Sequence, residues 1–300
     1  NLKLSVPLES RQNTSNNIET SHSFSFDKIF DQSTKQEQIF NDLALPAIEN
    51  CLNGYNSTIF AYGQTGSGKT YSMEGPDDVN DENEGLIPRT MKFLLGESKN
   101  DAQWRFEFSA HYLEVYCGKI YDLLGTGSGS QAKKKPGLKA PGGGKESSSK
   151  LNEIHLRLDS TNKKLDFTPA LEAKKIENLI DIKNLIKFAN KKRRTAATDF
   201  NERSSRSHAI CMLKIKGTHK TTEEQKTSTI QLIDLAGSES AKDSGAAKGI
   251  ALQEASKINQ SLLYLETLFA LSDNDTGTRA PLRSVPMACS QVFFTRLSHP

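Results

Sequence analysis

The sequence is short of several things, and each shortage excludes a class of protein. Only four cysteines occur in 300 residues, at Cys51, Cys117, Cys211 and Cys289. They are scattered and form no CxxC pair, which excludes a secreted disulfide scaffold. No run approaches the ~20 apolar residues of a membrane-spanning helix, so no membrane partner is expected. No charged-then-apolar leader opens the chain, and a reduced intracellular compartment is expected. The sequon at Asn56-Ser57-Thr58 is then read as chance. An excess of one charge is missing too: 39 Lys+Arg face 36 Asp+Glu, a net charge of +3. That balance argues against a dedicated nucleic-acid binder. Internal repeats and coiled-coil heptads are absent, so no dimerisation region is expected in this chain.

What is present suffices for a core. Hydrophobic residues make up 35% and charged residues 25%, on the polar side for one large domain over 1–300. The first 20 residues are rich in Asn, Ser and Thr and read as a frayed lead-in. Residues 125–150 are Gly, Ser, Lys and Pro with almost nothing to bury, a flexible insertion by composition. Alternation predicts strands over 23–30, 56–62, 104–115, 151–158, 163–168, 207–216 and 228–235. Helical spacing predicts helices over 35–53, 85–95, 176–194 and 254–272, with Pro46 a possible kink and Asn53-Gly54 a stop. Strands alternating with helices predict an α/β fold, a mostly parallel or mixed sheet with helices on both faces.

The sharpest motif is GQTGSGKT at 63–70, directly after the strand 56–62. It fits G-x-x-x-x-G-K-[ST], the phosphate loop of P-loop NTPases. Gly63, Gly66 and Gly68 let backbone N–H groups, with those of Gln64, Thr65 and Ser67, curl round phosphate oxygens. Lys69 brings a charge to the β- and γ-phosphates, and the Thr70 hydroxyl can ligate Mg²⁺. Tyr71–Glu74 would begin a helix facing the nucleotide. The strand IQLIDLAG at 230–237 ends in Asp234, an acid that can hold Mg²⁺ through water, followed by Gly237. Guanine reading would need an NKxD; Asn162-Lys163-Lys164-Leu165 lacks the aspartate, so guanine specificity is disfavoured.

NERSSRSH at 201–208 and DLAGSE at 234–239, with FAYGQTGSGKT at 60–70, resemble the nucleotide switches of the kinesin motor domain. FDKIF (26–30), GYNSTIFAYGQT (54–65), GLIPRT (85–90), YLEVYCGKIYDLL (112–124) and INQSL (258–262) extend the match over about 22–275. The resemblance implies a kinesin/myosin-like P-loop fold and a microtubule-stimulated ATPase using ATP and Mg²⁺. It implies that Ser204 and Ser205 close on the γ-phosphate, Ser205 also helping to hold Mg²⁺ or the attacking water. Gly237 would donate its N–H to that phosphate, and Arg206 would pair with Glu239 when the switches close. Tyr55 and Tyr71 sit where kinesins place adenine contacts, core packing being the alternative for both. Lys242, Lys248 and Lys257 fall in or beside the segment that kinesins set against the acidic microtubule (tubulin) surface. Location on cytoskeletal microtubules in the cytoplasm, including the spindle, is implied. Some runs look most like spindle kinesins such as the kinesin-twelve group; NERSSRSH is also common in motors with a C-terminal head.

Two departures shape the expectation. Nothing before Ser23 resembles the R-x-R-P strand that opens kinesins, and 280–300 retain only Pro281 and Arg283 of the family's V-P-Y-R stretch. The chain is therefore expected to lack both ends of a motor and to leave backbone unpaired in mid-sheet. This leaves two readings, a motor ATPase or a microtubule-binding module that has lost turnover. The basic run Lys191–Arg194 reads as a solvated helix end. The six lysines between 131 and 150 can attract an acidic surface with a strength that falls with salt. Deleting 125–150 is expected to raise the microtubule dissociation constant, measured by co-sedimentation at two salt concentrations. An unchanged constant identifies the insertion as a solvated loop.

Overall fold

The computed structural model describes residues 2–6, 20–24, 26–76, 81–125, 152–158, 165–195, 203–238 and 292–298. The helix 254–272, INQSL and residues 126–150 lie outside these. The chain opens with β1 (Leu2–Val6) and β2 (Thr20–Phe24), an antiparallel pair in a sheet of their own. Part of the expected lead-in is thus strand. The strand expected over 23–30 lies earlier, because FDKIF leaves the ladder after Phe24.

The expected helix 35–53 forms as α1 (Gln36–Ile39), a π-helical turn (Phe40–Ala44) and α2 (Leu45–Leu52). Pro46 explains the wide turn: it has no N–H to offer the carbonyl four residues back, and a π-turn absorbs the mismatch. Gly54, with φ +97°, ends the helix. Then come β3 (Asn56–Tyr62), α3 (Lys69–Met73), a 3₁₀ turn (Asp81–Asn83) and α4 (Leu86–Asn100). The chain continues through β4 (Trp104–Tyr116), β5 (Lys119–Asp122), β6 (Asn152–Leu158), β7 (Leu165–Thr168) and β8 (Lys174–Ile176). After α5 (Leu179–Thr195) and a 3₁₀ turn (Arg203–Arg206) come β9 (His208–His219), β10 (Gln225–Asp234) and β11 (Val292–Ser298). Ile176, expected to start a helix, instead ends β8.

The main sheet runs β11-β3-β10-β9-β4-β5-β6-β7, with β8 beside β4. It is mixed. Among the described pairs only β3 and β10 run parallel. The expectation of unpaired mid-sheet backbone does not hold at β3: β11 pairs with it antiparallel from Val292↔Tyr62 to Ser298↔Asn56.

One face of the sheet carries the main core. Alternate residues Phe108, Ala110 and Tyr112 of β4, Leu213 and Ile215 of β9, and Ile59 and Ala61 of β3 point to it. Against them pack Ile48 of α2, Leu86 and Leu94 of α4, and Ile182, Leu185 and Ala189 of α5. Burying each of the larger aliphatic side chains contributes about 1.5–3 kcal/mol. The same alternation continues from Tyr112 to Glu114, and the buried stripe of α5 ends on Arg193. The core face therefore finishes in charged residues beside the first switch. On the other face Leu113, Ile154 and Met212 form a smaller cluster, and Phe60, Leu235 and Ala236 another.

Between β4 and β5 the chain reverses over two residues, Cys117 (φ +52°) and Gly118 (φ +75°). Such a two-residue reversal wants Asn or Gly at its first position, since an ordinary L side chain is strained there. Cys117→Asn is expected to stabilise the fold by about 1 kcal/mol, read from urea unfolding; an unchanged midpoint refutes the strain.

Candidate functional site

Because β3 and β10 are parallel, with Ala61 opposite Asp234, both strands stop at the same edge of the sheet. The phosphate loop leaves β3 there, and the second-switch sequence leaves β10. Gly66 and Gly68 hold φ of +79° and +95°, which a side chain would resist. Lys69 is buried, its Nζ donating to the Gln64 carbonyl at 2.8 Å. The lysine thus lies back along the loop that it serves. The Thr70 hydroxyl donates to Asp234 Oδ2 at 2.5 Å, joining residues 164 apart. The Leu235 N–H donates to the Ala61 carbonyl and the Ser238 N–H to that of Gly63, at 3.3 and 3.1 Å.

The first switch closes against the second by backbone bonding. Ser204, Ser205 and Arg206 form the last part of the 3₁₀ turn. The Gly237 N–H donates to the Ser205 carbonyl at 3.0 Å, and the Ala236 N–H to His208 Nδ1 at 2.9 Å. Behind them Arg193 Nη2 donates to Ser207 Oγ at 3.1 Å, and its Nε stands 3.5 Å from Glu114 Oε1. Arg193 and Glu114 are 4% and 0% exposed at the side chain. Here the structure corrects the expectation of a solvated helix end. Lys191 and Arg194 are exposed, whereas Arg193 is a core cation and the half-buried Lys192 donates to the Gly125 carbonyl.

Burial dominates the electrostatics. It pushes the Asp234 carboxyl up to about 6, against the pull of the Thr70 hydroxyl and of Arg193. It pushes the His208 imidazole down to about 4, and the Arg193 charge adds to that. Asp234 Oδ1 and Ser67 Oγ are buried and find no hydrogen-bond partner among the described residues. A buried acceptor left over beside a hydroxyl and an acid is what a hydrated divalent cation satisfies. The residues present therefore fit Mg²⁺.

Not every expected residue joins this cluster. Tyr55 precedes β3 at the end away from the phosphate loop, so a seven-residue strand, roughly 23 Å long, separates the two. Tyr55 is exposed, which excludes core packing. Tyr71 is also exposed but follows Thr70 directly; its hydroxyl meets Asn83 Oδ1 at 3.2 Å. Glu239, Lys242, Lys248 and Lys257 lie outside the described residues.

Other residues at the site carried no recognisable sequence signal. Glu74, the last residue after α3, accepts from the Tyr112 hydroxyl at 2.5 Å and from Asn190 Nδ2 at 2.6 Å. Gln36 Nε2 donates to the Tyr71 carbonyl. Fully buried Glu84 pairs with Lys183 at 2.7 Å. Gly75 and Gly85 meet backbone to backbone: a Cβ on Gly85 would stand 2.6 Å from the Glu74 backbone. GLIPRT was visible as a motif, but nothing in it foretold that contact.

A family model described as the kinesin motor domain matches residues 3–287. Carboxy-terminal kinesin 2 of Xenopus laevis is 37% identical over 246 residues, 81% of this chain and 35% of the relative. Chromosome-associated kinesin KIF4A of Homo sapiens is 35% identical over 271 residues, 89% of this chain and 20% of the relative. The chain thus spans about a third or less of the curated relatives that it matches. Among solved structures, one described as a fast kinesin superposes with TM-score 0.70 at 28% identity, over 93% of this chain and 73% of that one. The motor domain of the kinesin-like protein KAR3 of Saccharomyces cerevisiae does so with TM-score 0.64 at 32% identity, over 87% and 70%.

The buried His208 gives a pH prediction. Its folded pKa lies below the ordinary 6.5, so the stability it contributes is complete above about pH 6.5 and is lost as pH falls towards 4. His208→Asn, which cannot titrate, is expected to be less stable than the parent at pH 7.5, with the gap closing by pH 4.5. Urea unfolding across that range checks it; a constant gap would exclude the buried neutral imidazole.

Proposed function

The chain belongs to the kinesin motor-domain family, and on that premise we propose that it is an ATP-hydrolysing motor module that works on microtubules. The observation that carries this reading is the Thr70–Asp234 hydrogen bond, which ties the phosphate loop to the root of the second switch. ATP would lie along Gly63–Tyr71, its phosphates taken by the backbone N–H groups of the loop and by Lys69. Mg²⁺, held by Thr70 and Ser205 and through water by Asp234, would supply charge neutralisation. Phosphoryl transfer needs position and countercharge more than covalent help, and these residues offer both.

In this reading the switches work by exchange of bonds. The Gly237 N–H is engaged by the Ser205 carbonyl, so donating it to a γ-phosphate requires that bond to open. Ser204 and Ser205 would follow the phosphate, and Arg206 would then pair with Glu239. Hydrolysis and phosphate loss would restore the first arrangement, giving a two-state element biased by one phosphate. Lys242, Lys248 and Lys257 would meet the acidic microtubule, placing the protein on the cytoskeleton, the spindle included. The name chromosome-associated kinesin among the relatives supports that location.

The test is phosphate release with and without microtubules, for the parent chain and for Glu239→Ala. We expect stimulation in the parent and its loss, by about 100-fold or more, in the variant. Microtubule binding that ignores nucleotide, with no turnover in either protein, identifies a binding module instead.

A further inference from the structure

Glu74 stands where three elements meet. It ends α3, the helix that begins with Lys69 and Thr70. Its carboxylate is buried, and the two oxygens serve different neighbours. Oε1 accepts the Tyr112 hydroxyl of the sheet at 2.5 Å, and Oε2 accepts Asn190 Nδ2 of α5 at 2.6 Å. Asn190 lies five residues before the end of α5, the helix from which the chain passes into the first switch. That helix packs against the turn Arg203–Arg206, and Arg193, three residues on from Asn190, reaches Ser207.

We propose that Glu74 is a positioning residue, coupling the phosphate-loop helix to the root of the first switch through its bond to Asn190. Stability alone does not ask for a charge here, since apolar residues of similar volume serve a buried position as well. What a carboxylate adds is direction: each oxygen fixes a donor at a short, defined distance. The bond to Tyr112 holds α3 to the rigid sheet, and the bond to Asn190 hands the position of α3 on to α5. Coupling of this kind is reciprocal. A nucleotide on the phosphate loop would steady the root of the first switch, and a steady root would slow nucleotide release.

The inference rests on the nucleotide reading above, and its test separates the two. Asn190→Ala and Tyr112→Phe each remove one donor from the same carboxylate. Release of the fluorescent analogue mant-ADP and the unfolding midpoint are measured for both variants and the parent. We expect both variants to melt lower, with release about fivefold faster or more in Asn190→Ala. In Tyr112→Phe it stays within about twofold of the parent. Glu74→Met, which keeps about the volume but accepts from neither donor, is expected to speed release as well and gives a second measurement should Asn190→Ala fail to fold. Parental release rates in Asn190→Ala or Glu74→Met, or equal acceleration in Tyr112→Phe, would overturn the coupling while leaving nucleotide binding intact. A parent chain that binds no mant-ADP would overturn the nucleotide reading, and the coupling with it.

Discussion

Parallel pairing of β3 with β10 is the constraint on which the site depends. In the proposed reading each strand is followed by a segment that meets the same phosphate, and only a parallel pair delivers both segments to one edge of the sheet. The ladder from Ile230↔Ser57 to Asp234↔Ala61 ends where Thr70 can reach Asp234. Their hydrogen bond then fixes the loop against the strand. The antiparallel neighbours β9 and β4 widen the sheet and supply the core face. β9 could not replace β10 in this role, because it presents its opposite end, and β4 runs the same way as β10 but lies two strands from it, beyond β9.

A second theme is the supply of buried carboxylates to α5. Glu84, Glu74 and Glu114 belong to three different segments, and each engages a different residue of this helix: Lys183, Asn190 and Arg193. A helix held by apolar contacts alone can slide by small amounts at little cost. One held at three polar points cannot, since each displaced bond would strand a buried group. The lower face of α5 still packs as ordinary core, so rigidity and burial are provided by different side chains on one stripe.

The phosphate loop, the two switches and most elements were legible because each rests on local chemistry. Glycines at Gly66 and Gly68, the lysine after them and the alternation of β4 and β10 all announce themselves within a dozen residues. The partners of Glu74 and Arg193 were not legible, since a carboxylate or guanidinium reveals nothing of what long-range packing brings beside it. Arg193 misled for a related reason: in a run of four basic residues, helical phase alone decides which one turns inward. Tyr55 was assigned to the nucleotide by resemblance, but the length of β3 sets it at the far end. The strands β1 and β11 escaped notice although LKLSV alternates and VFFTRLS is largely apolar, because each is short and stands beside polar sequence, so that pairing defines it. β11 occupies the edge of β3 in an antiparallel sense, which no reading of its own residues could supply.

The meeting of Gly75 with Gly85 has a consequence for the chain between them. Their backbones touch where the Gly85 N–H faces the Glu74 carbonyl at 3.4 Å, so the segment they enclose begins and ends at one point. For such a closed segment the entropy of closure grows only with the logarithm of its length, about 0.6 kcal/mol for each doubling. Length there is nearly neutral for the fold, whereas a single methyl group at position 85 is not. Across related chains, variation should therefore accumulate as insertions between these glycines rather than as substitutions of them.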